Sequence, residues 1–521
     1  MSHAANFVIP APAVCSTAAR PGALATEGPW KVHVAAAELK PVAEVVRALL
    51  EAHSRAVGSG EAGAPRRITL QIGPAPSLPS PCGIPLCGDE SHRVVVGPDG
   101  INCEGDTAEG VFRAAVSAVQ MIATADELPY QELEDAPRYT WRGLMLDPAR
   151  SFISVDDLRR LIDVAALYKL NVLHLHLSDN QGWRLEIPGL PELTSGEAPF
   201  YTIEEYREIQ AYAAARFVTV IPEIDLPGHC GALRAAMPHL PAAPSPDGGA
   251  KSLELLSGVL QFSAPLDLSD PATDDIVRRI LTHVCTATTG PFVHIGADEA
   301  AGMTHESYAA AVHRLRDLVH ASGKRPIAWQ EASRAGSSPE DITQHWFDPA
   351  TLNRDAPPTV GGIPDEVLDA LAALFAPTAE DLARILDGGG RVVLSNQSHL
   401  YLDRRYGPAT APPQQADAVA RLGLYPPRPL EDMAAWDPAD YGVPQDRIAG
   451  IEATLWGETL TSFDDLTFLL LPRIASIADT AWSGRPSAWQ DHRERLARHG
   501  RFWTKRGLTY FASTEVPWAE E

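Results

Sequence analysis

The sequence predicts an α/β chain in which a (β/α)8 TIM barrel follows a small α+β domain. Three observations carry that reading. From about residue 139, short β-rich runs alternate with amphipathic helical stretches, the pattern of repeated βα units around a parallel sheet. Eight such runs can be counted, which is the number that closes a barrel. Polar and indole side chains gather at or just beyond the C-terminal ends of these runs, on the face where barrel enzymes carry their chemistry.

Taken in order, residues 1–25 mix Ala, Pro, Ser and Thr without periodicity and are expected to form a loosely ordered leader. Residues 26–137 are expected to form the α+β domain. RITLQIG, around residues 68–73, and HRVVVG look like strands, and Pro98-Asp99-Gly100 is a turn signal leading into INCEG. A helix is predicted from Thr107 to Ala123, with Val111, Ala115, Val119 and Ile122 as its packing face.

Residues 138–521 are assigned to the barrel and a C-terminal helical extension. Its strands are predicted at 141–147, 171–177, 217–225, 291–299, 325–331, 342–346, 391–397 and 450–456. Ser154 with Asp157, and Thr202 with Glu205, have the spacing of helix N-terminal caps. Asp270-Pro271 places a cap residue before a proline in the first turn of the next helix. The sixth unit is unusual, because about 45 residues separate Trp346 from Arg391 and the first half is rich in Pro, Gly and Asp. That half reads as a long loop.

The chain has 521 residues, 45% hydrophobic and 21% charged, enough to bury a large core across two domains. A formal net charge of -24 repels phosphate backbones and anionic lipid, so neither nucleic acid nor membrane is an expected partner. No apolar run approaches the length of a membrane span, and the start, MSHAANFVIPAPAVCSTAARPG, lacks the basic-then-apolar signature of a secretory signal. A cytoplasmic address and a monomer or homodimer are the expectations. Six scattered cysteines, Cys15, Cys82, Cys87, Cys103, Cys230 and Cys285, are read as free thiols, most of them buried.

The residues at the predicted strand ends are Asp147, Arg150, His176, Asp179, Asp225, His229, Asp298, Glu299, Trp329, Glu331, Trp346 and Trp456. Trp183, Trp329, Trp346 and Trp456 suit a sugar ligand, since pyranose C–H groups point at the indole face. Adjacent carboxylates such as Asp298 and Glu299 point to opposite sides of a strand. As strand residues they cannot face each other across one glycosidic bond.

Five stretches, WRGLMLDPARSF, NVLHLHLSDNQGWRLEI, IPEIDLPGH, FVHIGADEA and LWGETL, resemble in order and spacing the successive motifs of glycoside hydrolase family 20, the β-N-acetylhexosaminidases. The resemblance spans about residues 138–485, and segment 26–137 is similar to the α/β domain that precedes the barrel in that family. It implies an exo-acting, retaining enzyme that removes terminal β-linked GlcNAc or GalNAc from a small oligosaccharide or glycoside, with no cofactor and no metal. In that reading Glu299 is the general acid and the substrate's own acetamide carbonyl is the nucleophile, giving an oxazolinium intermediate. Asp298 holds the acetamide N–H, and Tyr401 the acetamide oxygen. Trp329, Trp346 and Trp456 form an aromatic box. Arg142 grips O3 and O4, and Asp403 and Glu458 bind O4 and O6. Asp179 orients His229, which hydrogen-bonds the acid and tunes its readiness to give and take the proton. Asn180 and Ala297 depart from the family pattern, which often has Asp and Gly there; both bear on fine specificity and not on the reaction.

Two other classes fit parts of the sequence. His174 and His176 alternate on one strand and so share a face, as ligands do in metal-dependent barrel hydrolases. A non-catalytic sugar-binding protein on the same scaffold is disfavoured by the intact carboxylates and tyrosine.

Overall fold

A computed structural model describes residues 7–18, 21–54, 66–86, 88–245, 262–347 and 365–519. In the N-terminal domain the strands are β1 (Val14–Thr17), β2 (Ala23–Ala25), β3 (Trp30–Val34), β4 (Arg66–Ile72), β5 (His92–Gly97), β6 (Gly100–Gly105), β7 (Glu127–Pro129) and β8 (Gln131–Asp135). A six-stranded sheet runs in the order β1-β8-β5-β6-β4-β3, and β2 pairs separately with β7. The β5–β6 hairpin turns at Pro98-Asp99 and closes on the Gly97–Gly100 pair, as its turn residues predict.

The described residues of the expected leader, 7–18 and 21–25, are instead part of this domain. β1 is the edge strand beside β8, Val8 and Ile9 are fully buried, and the Ile9 N–H donates to the Gln120 side chain at 2.8 Å. Its low periodicity reflects an edge strand and single anchoring residues, which leave no pattern for periodicity to detect. The helix Ala108–Thr124 is capped by Thr107, and every residue from Glu109 to Thr124 is buried. It packs between its own sheet and the barrel helices Val155–Leu167 and Trp489–Lys505. A one-sided packing face therefore understates it: its Ala-rich side docks the second domain.

The barrel strands are β9 (Arg142–Leu146), β10 (Val172–His176), β11 (Thr219–Glu223), β12 (Phe292–His294), β13 (Arg325–Trp329), β14 (Ile342–His345) and β15 (Arg391–Leu394). A short parallel pair, β16 (Arg404–Tyr406) and β17 (Tyr425–Arg428), then branches off, and β18 (Ile448–Leu455) completes the ring against β9. All eight barrel strands fall within or beside the predicted runs, and the sheet closes. The caps form as read. Ser154 and Asp270 each accept from the first turn of their helices, and Thr202 with Glu205 makes a reciprocal capping box. In the long sixth unit, residues 348–364 lie outside the described residues, and helices follow at Asp365–Phe375 and Asp381–Asp387.

The barrel interior is layered. At its N-terminal end Val172, Ile221, Phe292, Ile327, Ile342 and Val393 pack with Trp141 and are plugged from below by Ile84. Each such side chain contributes roughly 1.5–3 kcal/mol by leaving water. Above them, His174, Glu223, His294, Gln344 and Glu452 are buried and polar. Burying charge is costly unless it is paired, so this layer is held for what it supports.

Of the cysteines, Cys82, Cys103, Cys230 and Cys285 are free thiols, the last three buried, and Cys15 is exposed and donates to the Gln131 side chain at 3.6 Å; Cys87 lies outside the described residues. Among the described residues no helix is long and apolar enough to cross a membrane.

Candidate active site

β12 ends at His294, five residues short of the predicted strand end, and the backbone then leaves the extended region. Gly296 (φ 70°), Ala297 (φ 76°) and Glu299 (φ 44°) are all left-handed. A Cβ at Gly296 would lie 1.8 Å from Asp225 Oδ1, so only glycine fits there. The Ala297 N–H donates to Asp225 Oδ1 at 3.1 Å, and the Tyr308 hydroxyl donates to the Ala297 carbonyl at 2.5 Å. The strand alternation expected for Asp298 and Glu299 therefore does not apply, and both side chains line one cavity of about 110 Å³ at the C-terminal mouth of the barrel.

On the acid side, His229 Nε2 lies 3.2 Å from Glu299 Oε2, and its Nδ1 lies 3.1 Å from Asp179 Oδ2. Asp179 also meets His176 Nε2 at 2.8 Å and the Arg150 guanidinium at 2.8 Å. Burial alone would raise Asp179, but the charges on Arg150 and His229 hold it well below the usual carboxylate range. Burial likewise opposes a charged His229, yet the surrounding carboxylates, Asp179 first, keep its affinity for a proton well above that of free imidazole. Glu299, His229 and Asp179 thus lie in sequence at 3.2 and 3.1 Å, though neither His229 nitrogen meets hydrogen-bond geometry among the described residues. His229 itself adopts φ 39°, a strained conformation of the kind that functional sites store.

On the other side, burial pushes Asp298 up to about 6, against the pull of His229, and the neighbouring Asp225 is also raised well above its usual range. Asp298 Oδ1 is buried, no N–H of the described residues donates to it, and its side-chain neighbour is the Asp225 carboxyl. Beside it Trp329, Trp346 and Tyr401 pack together with Phe347, bordered by Phe375, Tyr425 and Trp456. Trp346 and Tyr401 are stacked at 14° with centroids 6.3 Å apart, and Trp456 lies 6.0 Å from Tyr401. The Trp346 indole N–H donates to Glu331, and Trp329 donates to Glu223 at 2.7 Å. Trp329 is 1% exposed and sits under Trp456 as the floor of the cluster. Trp183 belongs to the general core, its indole donating to the Leu185 carbonyl.

At the rim stands Arg150, not Arg142. Arg142 lies at the N-terminal end of β9, 0% exposed, and donates to Glu90 and to the Lys169 and Tyr139 carbonyls. It ties the barrel to the N-terminal domain, so the rim role expected of it is corrected. β9 runs from Arg142 to Leu146 at roughly 3.3 Å per residue, so one strand length separates Arg142 from the mouth. Arg150, beyond the other end, pairs with Asp147 at 2.9 Å and Asp179, approaches Glu458 at 3.6 Å, and lies 5.1 Å from the Trp456 ring centroid. Its position past a strand end was the available signal. Asp403 is buried, no side chain among the described residues donates to its carboxylate, and burial together with the Glu458 charge raises it well above the usual range. Tyr425, which no motif marked, reaches the cavity from β17 and meets Tyr401 edge-on at 5.4 Å.

Among the described residues, three sets of groups bring donor atoms within 4.8 Å of one another: His174, Glu223 and His294; His176, Glu223 and Asp225; and Asp225, His229 and Asp298. Glu223 already accepts from Trp329 and His176, and His229 faces Asp179 and Glu299. Carboxylate–imidazole pairing accounts for the closeness of His174 and His176 to these acids.

The model for "Glycosyl hydrolase family 20, catalytic domain" matches residues 139–356 and 369–485, and that for "Glycosyl hydrolase family 20, domain 2" matches residues 5–136. The chain belongs to glycosyl hydrolase family 20. This family-20 chain is 34% identical to the β-N-acetylhexosaminidase of Cellulomonas fimi, over 98% of this chain and 97% of that protein. It is 28% identical to a β-hexosaminidase of Akkermansia muciniphila, over 81% and 85% of the two chains. Among solved structures, the family-20 β-N-acetylhexosaminidase of Streptomyces coelicolor A3(2) superposes with a TM-score of 0.76 at 30% identity, covering 99% of each chain. A mutant Streptomyces plicatus β-hexosaminidase in complex with the product GlcNAc superposes with a TM-score of 0.75 at 29% identity, covering 99% of this chain and 98% of that one. The family-20 chain is accordingly a glycoside hydrolase with β-hexosaminidase activity on oligosaccharide substrates.

Proposed function

We propose that the enzyme is an exo-acting, retaining β-N-acetylhexosaminidase that removes terminal non-reducing β-linked GlcNAc or GalNAc by substrate-assisted catalysis. The observation that carries this reading is the buried Asp298 Oδ1, to which no N–H of the described residues donates, beside an aromatic cluster and in the same cavity as Glu299. A buried acceptor without a donor costs about 1–3 kcal/mol, and the acetamide N–H of the substrate supplies that donor.

In this mechanism Glu299 protonates the glycosidic oxygen while the acetamide carbonyl oxygen attacks C1. The C1–O bond to the aglycone breaks as the C1–O bond to the acetamide forms. Asp298 accepts from the acetamide N–H and offsets the positive charge of the oxazolinium ion. The Tyr401 hydroxyl holds the carbonyl oxygen in line. Water then attacks C1, giving its proton to Glu299 as the C1–O bond to the acetamide breaks and frees the N-acetyl group, and two inversions give net retention. Arg150, Glu458 and Asp403 receive the sugar hydroxyls; Asp403, to whose carboxylate no side chain among the described residues donates, is an acceptor for hydroxyl donors.

The test is turnover of a chromogenic β-GlcNAc glycoside beside its β-glucoside counterpart. The glucoside brings no nucleophile and is expected to be inert. GlcNAc-thiazoline, which resembles the cyclic intermediate, is expected to inhibit strongly, and Asp298→Ala to weaken it far more than it weakens GlcNAc itself. Efficient β-glucoside hydrolysis, or a covalent glycosyl-enzyme trapped on a carboxylate, would overturn the reading.

A further inference from the structure

Glu223 ends β11, is fully buried, and touches two parts of the site at once. Its Oε1 accepts from the Trp329 indole at 2.7 Å, beneath the aromatic cluster, and lies 3.1 Å from His294 Nδ1. Its Oε2 is hydrogen-bonded to His176 Nδ1 and lies 3.2 Å from His174 Nε2. His176 carries the line onward: its other nitrogen meets Asp179 at 2.8 Å, Asp179 meets His229 at 3.1 Å, and His229 meets Glu299 at 3.2 Å.

We propose that Glu223 is a positioning residue that couples the two halves of the reaction, fixing through Trp329 the floor on which the acetamide is held and setting through His176 the charge on the Asp179–His229 pair behind the acid. The inference rests on the reading of Glu299 as the acid and Trp329 as part of the acetamide pocket.

The physical argument begins with His176, both of whose nitrogens face carboxylates. Only the doubly protonated ring donates at both positions, so the Glu223–His176–Asp179 line alternates negative, positive, negative. Burial opposes a charged ring, yet Glu223's charge and the hydrogen bonds to Asp179 and Glu223 raise it well above free imidazole. Glu223 in turn is held low against its own burial by His176 and His294. The other charges facing this line are Asp147 and Arg150 from the strand before it, Glu452 across His174, and Asp225 and Asp298 from the strands after it.

Glu223→Gln removes one negative charge and keeps the shape. If His176 then keeps its proton, the field at the acid becomes more positive directly. If His176 loses it, the nearer positive charge disappears along with the farther negative one, and because His229 already holds its proton well above free imidazole, the field at the acid becomes more negative. The first route moves the alkaline limb of the kcat/KM profile to lower pH and the second to higher pH, so a displaced limb in either direction reports the coupling. His176→Gln cuts the line but leaves the Glu223–Trp329 bond in place.

The experiment measures pH profiles and GlcNAc-thiazoline inhibition on a chromogenic β-GlcNAc substrate for wild type, Glu223→Gln and His176→Gln. In Glu223→Gln the alkaline limb is expected to move by about half a pH unit or more, and in His176→Gln, which removes the cation, to move up by about as much, with a roughly tenfold loss of kcat on poor leaving groups. Thiazoline affinity is expected to fall several-fold in Glu223→Gln and to change little in His176→Gln. A wild-type limb in both variants, whatever the loss of rate, would reduce Glu223 to a structural role, and unchanged thiazoline affinity in Glu223→Gln would remove the Trp329 arm. If Glu223→Gln does not fold, His176→Gln decides the relay by the same limb. A wild type inert on the β-GlcNAc substrate would instead defeat the proposed function and leave a different signature.

Discussion

Asp298 and Glu299 are consecutive in the chain and yet line the same cavity, because Ala297 at φ 76° and Glu299 at φ 44° turn the backbone through the left-handed region after β12. An alanine in that region carries about 1–2 kcal/mol of steric cost that glycine does not. Ala297→Gly is therefore expected to raise unfolding stability by up to about 1 kcal/mol, less what the unfolded chain gains in freedom. Differential scanning calorimetry checks this, with kcat retained; a lower midpoint would mean that the Ala297 methyl contributes packing that outweighs the backbone cost.

Replacing Glu299 by Gln leaves its shape but removes the proton to be donated. Turnover of substrates with poor leaving groups should fall by about 10³-fold or more, whereas activated aryl glycosides, which need little protonation, should suffer much less. Equal losses along a leaving-group series would remove Glu299 from the acid role.

The two arginines of WRGLMLDPARSF should separate cleanly. Arg142→Met breaks the buried pair with Glu90, which keeps Arg113 as a partner at 2.8 Å. Stability should fall by about 3 kcal/mol with kcat per folded molecule unchanged. Arg150→Met removes the guanidinium at the cavity, so KM should rise about tenfold or more and kcat should fall. A raised KM with intact stability in Arg142→Met would return the rim role to that residue.

Catalysis as proposed needs Asp298 ionised, and burial pushes its carboxyl up to about 6. The kcat/KM profile should therefore lose activity as pH drops through about 6, with the apparent value belonging to the Asp225–Asp298 pair. The sign for stability is opposite. A carboxyl whose folded value exceeds the unfolded one binds its proton better when folded, so this contribution is present below about pH 4 and is lost as pH rises through about 6. Asp298→Asn should accordingly be more stable than wild type at pH 7.5, on the order of 2 kcal/mol, while losing activity. Denaturant unfolding of the two proteins at pH 7.5 and pH 4 tests this; a variant less stable at pH 7.5 would contradict it.

Barrel closure was legible in the chain because a parallel, doubly covered sheet writes itself as short apolar runs between amphipathic helices, and each cap residue acts within one turn. Asp179, His229, Glu299, Trp346 and Trp456 were legible as polar and indole residues at strand ends, whereas their roles and Tyr401 came from the family resemblance. Those positions converge at the mouth once the barrel closes, whatever the details of packing. What the tertiary structure alone decided depends on direction and on long-range partners. Which end of β9 faces the substrate separates Arg142 from Arg150, and that is set by Glu90 from a different domain. The departure of residues 295–299 from strand geometry depends on Asp225, some seventy positions earlier, receiving the Ala297 N–H. Tyr425 enters the cavity because β17 pairs with β16, and Val8 and Ile9 are core because Gln120 meets Ile9 across more than a hundred residues. Local periodicity reports which face of an element is buried; it carries no information about the partner that buries it.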